Sequence, residues 1–176
     1  LTEAAYYQGF KGVSAKPTYF SERRGAPVSV HTRVSADPIR TFSNVVSSDI
    51  AVVLDDNLLE MVNVTANLKE GGLLVVNSAS TPKRLGIEGP FTVVVSDAFR
   101  SSREAGLIVE GNVLISSSIL GPFAAGTDLV SLDNIKKALE RKFKGPALDR
   151  NVNALQMAYD GAEVYRYELN AASVGN

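Results

Sequence analysis

The 176 residues contain no cysteine. That excludes a disulfide framework and any thiolate-held zinc or iron-sulfur centre within the chain. No apolar run approaches the roughly 18 residues that a membrane span requires, and no charged-then-apolar leader is visible at the front. The expectation is a soluble, cytoplasmic protein with no membrane partner. An excess of one charge is missing too: 18 basic residues face 19 acidic ones, for a formal net charge of -1. No global field therefore draws the chain to nucleic acid, although a local anion site remains compatible with it. Histidine occurs once, as His31, so a catalytic imidazole needs carboxylate or hydroxyl partners from elsewhere, and none is implied nearby. It reads as a surface or interface residue.

What is present is a chain of one-domain size, with 45% hydrophobic residues. It opens on "LTEAAYYQGF", where Leu1, Ala4, Ala5 and Gln8 give a weak helical stripe that Gly9 or Gly12 closes. This helix is already under way at Leu1, so the expectation is that the chain is N-terminally incomplete. "GVSA" suits a short strand, followed by a loop from Pro17 through a double arginine to Pro27. "VSVHTRVS" alternates Val28, Val30, Thr32 and Val34 with Ser29, His31, Arg33 and Ser35, as a strand with one wet face does. Asp37-Pro38 turns it into "IRTF", and this stretch reads as a hairpin.

The strongest pattern comes next, in "DIAVVLDD", "GGLLVVNSAS" and "FTVVVSDA", continuous apolar runs that suit strands buried on both faces of a parallel sheet. Between the first two, "NLLEMVNVTANLKE" is long enough for a helical crossover that Gly71-Gly72 stops. The last third reads as helical. One helix over "NVLISSSILGPFAAGT" takes Asn112 as its cap, and another, "SLDNIKKALERKF", is capped by Ser131, with Leu132, Ile135, Leu139 and Phe143 on one face. Gly145-Pro146 ends it. A final helix carries Leu148, Val152, Leu155, Tyr159 and Ala162 on one stripe, before a polar tail at about 167–176. The fold class is thus α/β: a single Rossmann-like three-layer domain over residues 1–176, with a mostly parallel sheet, a β-hairpin and a helical C-terminal third.

Three features carry candidate chemistry. Asp55-Asp56 follow a buried strand, where loops of open α/β sheets bind ligands; they suit a ribose or a metal, or else they cap "NLLEM". Ser116 to Ser118 suit close helix packing or a hydrogen bond to a ligand, and lack nucleophile-elbow spacing. In "SERRGAP", Arg23 and Arg24 offer fixed forks of donors for carboxylate or phosphate, Gly25 permits close backbone approach, and Pro27 restricts the loop. The plain alternative is a solvated basic turn.

The segment "YFSERRGAPVSVHTRVSADPIR" resembles the hallmark region of the gamma subunit of pyruvate:ferredoxin oxidoreductase and its relatives acting on other 2-oxoacids. "DIAVVLDDNLLE", "LKEGGLLVVNS" and "NVLISSSILGPFAAGTDLVSLDNIKKALERKF" come in that family's order, so the resemblance runs from the first helix to about Tyr159. It implies an α/β domain that packs against alpha, beta and ferredoxin-like delta chains. Thiamine diphosphate and iron-sulfur clusters then reside in those partners, ferredoxin accepts the electrons, and this chain alone holds no cofactor and is inactive by itself. It also implies a loop of the form G-x-G-G-Q-G before the first helix, a sequence that these residues do not contain.

Relatives tend to have alanine-phenylalanine-proline and a glycine before "ERRGAP"; here "SAKPTYFS" stands instead, while Glu22 to Pro27 match. "ERRGAPV" is closer to the pyruvate and branched-chain types than to the indolepyruvate enzymes. The resemblance lets Arg23, Arg24 and Gly25 meet either coenzyme A (CoA) or acidic groups of a partner subunit, with Asn112 a weaker cofactor-binding candidate. The competing reading is a stand-alone nucleotide- or CoA-binding module of the same fold. A further expectation is an exposed association patch from the Tyr19–Phe20 loop and "ILGPFAAG".

Overall fold

The computed structural model describes residues 1–19, 27–40, 43 and 45–167. Helix α1 (Thr2–Tyr7) leads into an antiparallel hairpin of β1 (Gly12–Tyr19) and β2 (Val28–Ser35). Strand β3 (Ser48–Val53), the single-turn helix α2 (Leu58–Met61), β4 (Leu68–Asn77) and β5 (Thr92–Ser96) come after it. Then come α3 (Ala98–Glu104), a small hairpin of β6 (Ile108–Val109) and β7 (Asn112–Val113), α4 (Leu120–Gly126), α5 (Leu132–Lys142), α6 (Gly145–Asp160) and β8 (Glu163–Tyr165). The main sheet has the order β3-β4-β5-β8, with β3, β4 and β5 parallel and β8 antiparallel at one edge.

The apolar runs of β4 and β5 form the centre of that sheet because both of their faces are covered; the expectation of two-sided burial fails for β3, which lies at the sheet edge with Val53 buried but Val52 exposed. Leu73, Val75 and Val94 enter a core with α1, α4, α5 and α6. Their neighbours Leu74, Val76, Val93 and Val95 enter a second core with Val53 and Phe91. The period of two thus serves two cores at once. The coverage is unequal: helices blanket the first face, while α2 and the loops around it cover the second.

Several sequence expectations hold and several are corrected. Ser131 caps α5 through its hydroxyl, which accepts from the Asn134 amide at 3.2 Å, and Ile135 and Leu139 are buried as the stripe requires. In α6, Leu155 is buried and Leu148 and Val152 pack partly, but Tyr159 is exposed and Ala154 and Ala158 take the interior positions. Gly145-Pro146 do not merely end α5; they open α6, with proline in its first turn, where a missing N–H costs nothing. The crossover between β3 and β4 has one helical turn, not a full helix. Gly71-Gly72 lie inside β4, with Gly71 at φ +72° and its amide donating to the Pro90 carbonyl at 2.6 Å. Glycine there sits where the pairing with β3 shifts register, between Leu68 and Leu73, a role that composition cannot distinguish from stopping a helix.

The hairpin partner of β2 is β1, from Gly12↔Ser35 to Tyr19↔Val28, and "IRTF" forms no strand in its described part. Pro17 accordingly stands within β1. "ILGPFAAG" is an interior segment rather than an association patch, since Ile119, Gly121, Pro122 and Phe123 are buried.

That segment is interior because α4 and α6 touch backbone to backbone. A Cβ at Gly121 would stand 2.6 Å from both the Leu155 carbonyl oxygen and the Tyr159 amide nitrogen. Gly121→Ala therefore has to push the helices apart, and its cost is expected to be about 1–3 kcal/mol or more. Urea denaturation checks this, and a parent-like midpoint would show that the helices are not in such contact.

Candidate functional site

At the carboxyl ends of β3, β4 and β5 the chain leaves the sheet through polar residues: Asp55-Asp56 after β3, Asn77-Ser78 at the end of β4, and Asp97 after β5. They line a cleft of about 500 Å³, with Leu54, Phe99, Val113 and Ile115 as its apolar walls. This is where open α/β sheets bind ligands, although β3, β4 and β5 lie in sequence order and show no reversal among themselves. Another depression, about 380 Å³ between residues 59–65 and 86–88, gathers no strand ends.

Asn77 stitches the rim together. Its amide nitrogen donates to the Leu54 carbonyl at 2.9 Å, and its oxygen accepts from the Phe99 amide at 3.3 Å, which joins the exit of β3 to the start of α3. Ser78 is buried; its hydroxyl donates to Asp56 Oδ2 at 2.6 Å and accepts from the Ser80 amide at 3.1 Å. Asp97 caps α3 by accepting from the Arg100 amide at 2.8 Å. The Arg100 guanidinium bonds Glu104 one turn on, and that hydrogen bond raises its pKa above the ordinary arginine value.

Asp55 and Asp56 have separated tasks. Asp55 Oδ1 accepts from both the backbone and the side-chain nitrogen of Asn57, a local turn that sets up α2, while Asp56 reaches across to β4. The capping expectation is close for Asp55, although the position before α2 is Asn57 and it makes no side-chain cap bond. The metal alternative finds no support, because no group of three potential metal ligands converges among the described residues. What remains is an acceptor-rich cleft with three carboxylates, each holding spare lone pairs. Such a surface suits hydroxyl, amide or ammonium donors and repels phosphate.

The other candidates fall elsewhere. Asn112 is not a helix cap: it lies in β7, exposed, in a tight hairpin whose turn residues Glu110 and Gly111 both have positive φ. Its amide donates to the Glu110 carbonyl at 3.3 Å, and α4 begins eight residues later. Local turn chemistry, which asparagine serves as well as it serves caps, decided the matter.

Ser116 to Ser118 precede α4 in a turn and are not within a helix. Ser118 is wholly buried; its hydroxyl pairs with that of Ser102 at 2.7 Å and lies 3.1 Å from the carbonyls of Ala98 and Ile115. Ser117 bonds Asn151 of α6. These hydroxyls are consumed in packing. His31 is exposed on β2. Arg23, Arg24 and Gly25 lie outside the described residues. Sequence reading missed Asn77, Ser78 and Asp97, though all three lie within two residues of the end of a buried apolar run, at the end where sheet ligands sit.

Residues 1–161 match the family model described as pyruvate ferredoxin/flavodoxin oxidoreductase. The chain belongs to that family. It is 36% identical over 165 residues to the "Pyruvate/ketoisovalerate oxidoreductases common subunit gamma" of Thermococcus litoralis, covering 94% of this chain and 88% of that protein. It is 35% identical over 162 residues to the "Pyruvate synthase subunit PorC" of Methanothermobacter marburgensis, covering 91% and 85%. The crystal structure of pyruvate oxidoreductase subunit PORC from Thermotoga maritima superposes with a TM-score of 0.75 at 26% identity, covering 93% of this chain and 86% of that one.

For a member of the pyruvate ferredoxin/flavodoxin oxidoreductase family, the donor set here is informative. With no cysteine in its 176 residues, the chain supplies no thiolate to a cluster. Its described carboxylates do not converge on an ion. Neither an iron-sulfur cluster nor a divalent ion finds a ligand set among the described residues.

The Ser78–Asp56 bond holds two strand exits together, and this yields a stability prediction. Ser78→Ala leaves the cleft side of Asp56 without its donor and is expected to cost about 1–3 kcal/mol. Asp56→Asn keeps an acceptor and is expected to cost less. Equal losses in urea denaturation would mean that the bond does not organise the rim.

Proposed function

We propose that this chain is the gamma subunit of a thiamine-dependent 2-oxoacid:ferredoxin oxidoreductase, which oxidatively decarboxylates pyruvate or a branched-chain 2-oxoacid to the acyl-CoA. The observation that carries this reading is the family match over residues 1–161, with relatives named as oxidoreductase subunits along nearly their whole length. The stand-alone module is not favoured on the same ground. In the assembly, alpha, beta and ferredoxin-like delta chains hold thiamine diphosphate and the clusters, ferredoxin takes the electrons, and the complex works in the cytoplasm. Thiamine diphosphate supplies the stabilisation of negative charge left by decarboxylation, a chemistry for which this chain offers no groups.

The name of the Thermococcus litoralis relative supports a further division of labour. A subunit common to pyruvate and ketoisovalerate oxidoreductases is not what distinguishes the two substrates. By extension, this chain contributes to assembly and to the handling of CoA, and the oxoacid is read elsewhere. Arg23, Arg24 and Gly25 remain the groups suited to an anion. The carboxylate-lined cleft is not suited to phosphate, so within this chain the phosphates of CoA belong with the arginines.

Two measurements test the reading. A complex purified through this chain is expected to contain three further chains in native mass spectrometry and to reduce ferredoxin when given a 2-oxoacid and CoA. The isolated chain is expected to be colourless and inactive. Turnover by the single chain, or purification without oxidoreductase partners, would overturn it. In the complex, Arg23→Gln/Arg24→Gln removes charge-assisted hydrogen bonds worth about 1.5–3 kcal/mol each. If the arginines bind CoA, its apparent KM is expected to rise at least ~10-fold with the oxoacid KM nearly unchanged. If they bridge subunits, assembly and every partial reaction weaken together. Unaltered assembly and kinetics would reduce the loop to a solvated turn.

A further inference from the structure

We draw no further inference here: the strongest candidate, the carboxylate-lined cleft at the carboxyl ends of β3, β4 and β5, belongs to the site already described, and its acidic cluster of Asp55, Asp56 and Asp97 stands without a second feature among the described residues, such as an unpartnered buried polar group, that points to a ligand.

Discussion

The pairing of β4 with β5, from Leu73↔Thr92 to Asn77↔Ser96, is the constraint on which the other elements depend. Each strand sends alternate side chains into two separate cores, and Leu74, Val75, Val76 and Val94 have no exposed surface. Full burial of such a side chain is worth about 1.5–3 kcal/mol. A slip of one residue would exchange the contents of the two cores, so the register is strongly specified. Polar ties then fix helices to this slab: the Ser96 hydroxyl donates to the Ala158 carbonyl of α6 at 2.8 Å, and Asn77 accepts from the amide of Phe99 in α3. Gly121 lets α4 press directly onto α6, and Gln8 at the end of α1 accepts from the Ser131 amide and the Asn134 side chain at the start of α5.

The same slab positions the cleft. Three parallel strands end side by side, and the first polar residues after each are held in a fixed relation by Asn77 and Ser78. The resulting surface is rich in acceptors, while the arginine pair best suited to an anion lies in a different part of the sequence. Among the described residues no group of three potential metal ligands converges, at the cleft or elsewhere.

The hairpin shows a different balance of forces. Its base draws stability from the core through Val13 and Val34, and its outer half has the composition of an interior and the exposure of a surface. Apolar atoms make up much of any protein surface, so one exposed valine means little. Here the exposed residues are consecutive on one face of a regular ribbon, and all the charge has been sorted onto the other.

The sequence by itself determined the parts whose pattern reports burial directly. Uninterrupted apolar runs announced β4 and β5, because a strand covered on both faces needs no polar alternation; β3 carries the same kind of run at the sheet edge, where Val52 is exposed. The Ser131 cap and the 3.6-residue stripe announced α5, and the order of motifs announced the family. Tertiary structure decided whatever depends on a partner distant in the chain or on an ambiguous residue. That β2 pairs with β1 rather than with "IRTF" is a non-local choice. Gly71-Gly72 lie within a strand at a register shift and Asn112 closes a two-residue turn, roles that glycine and asparagine fill as readily as ending or capping a helix. The rim of the cleft was hidden for the same reason: Asn77, Ser78 and Asp97 are separated in sequence and become neighbours only when parallel strands align their ends. Alternation in "VSVHTRVS" stated that one side of the strand is apolar, but whether protein or water meets that side is fixed by the elements that pack against it.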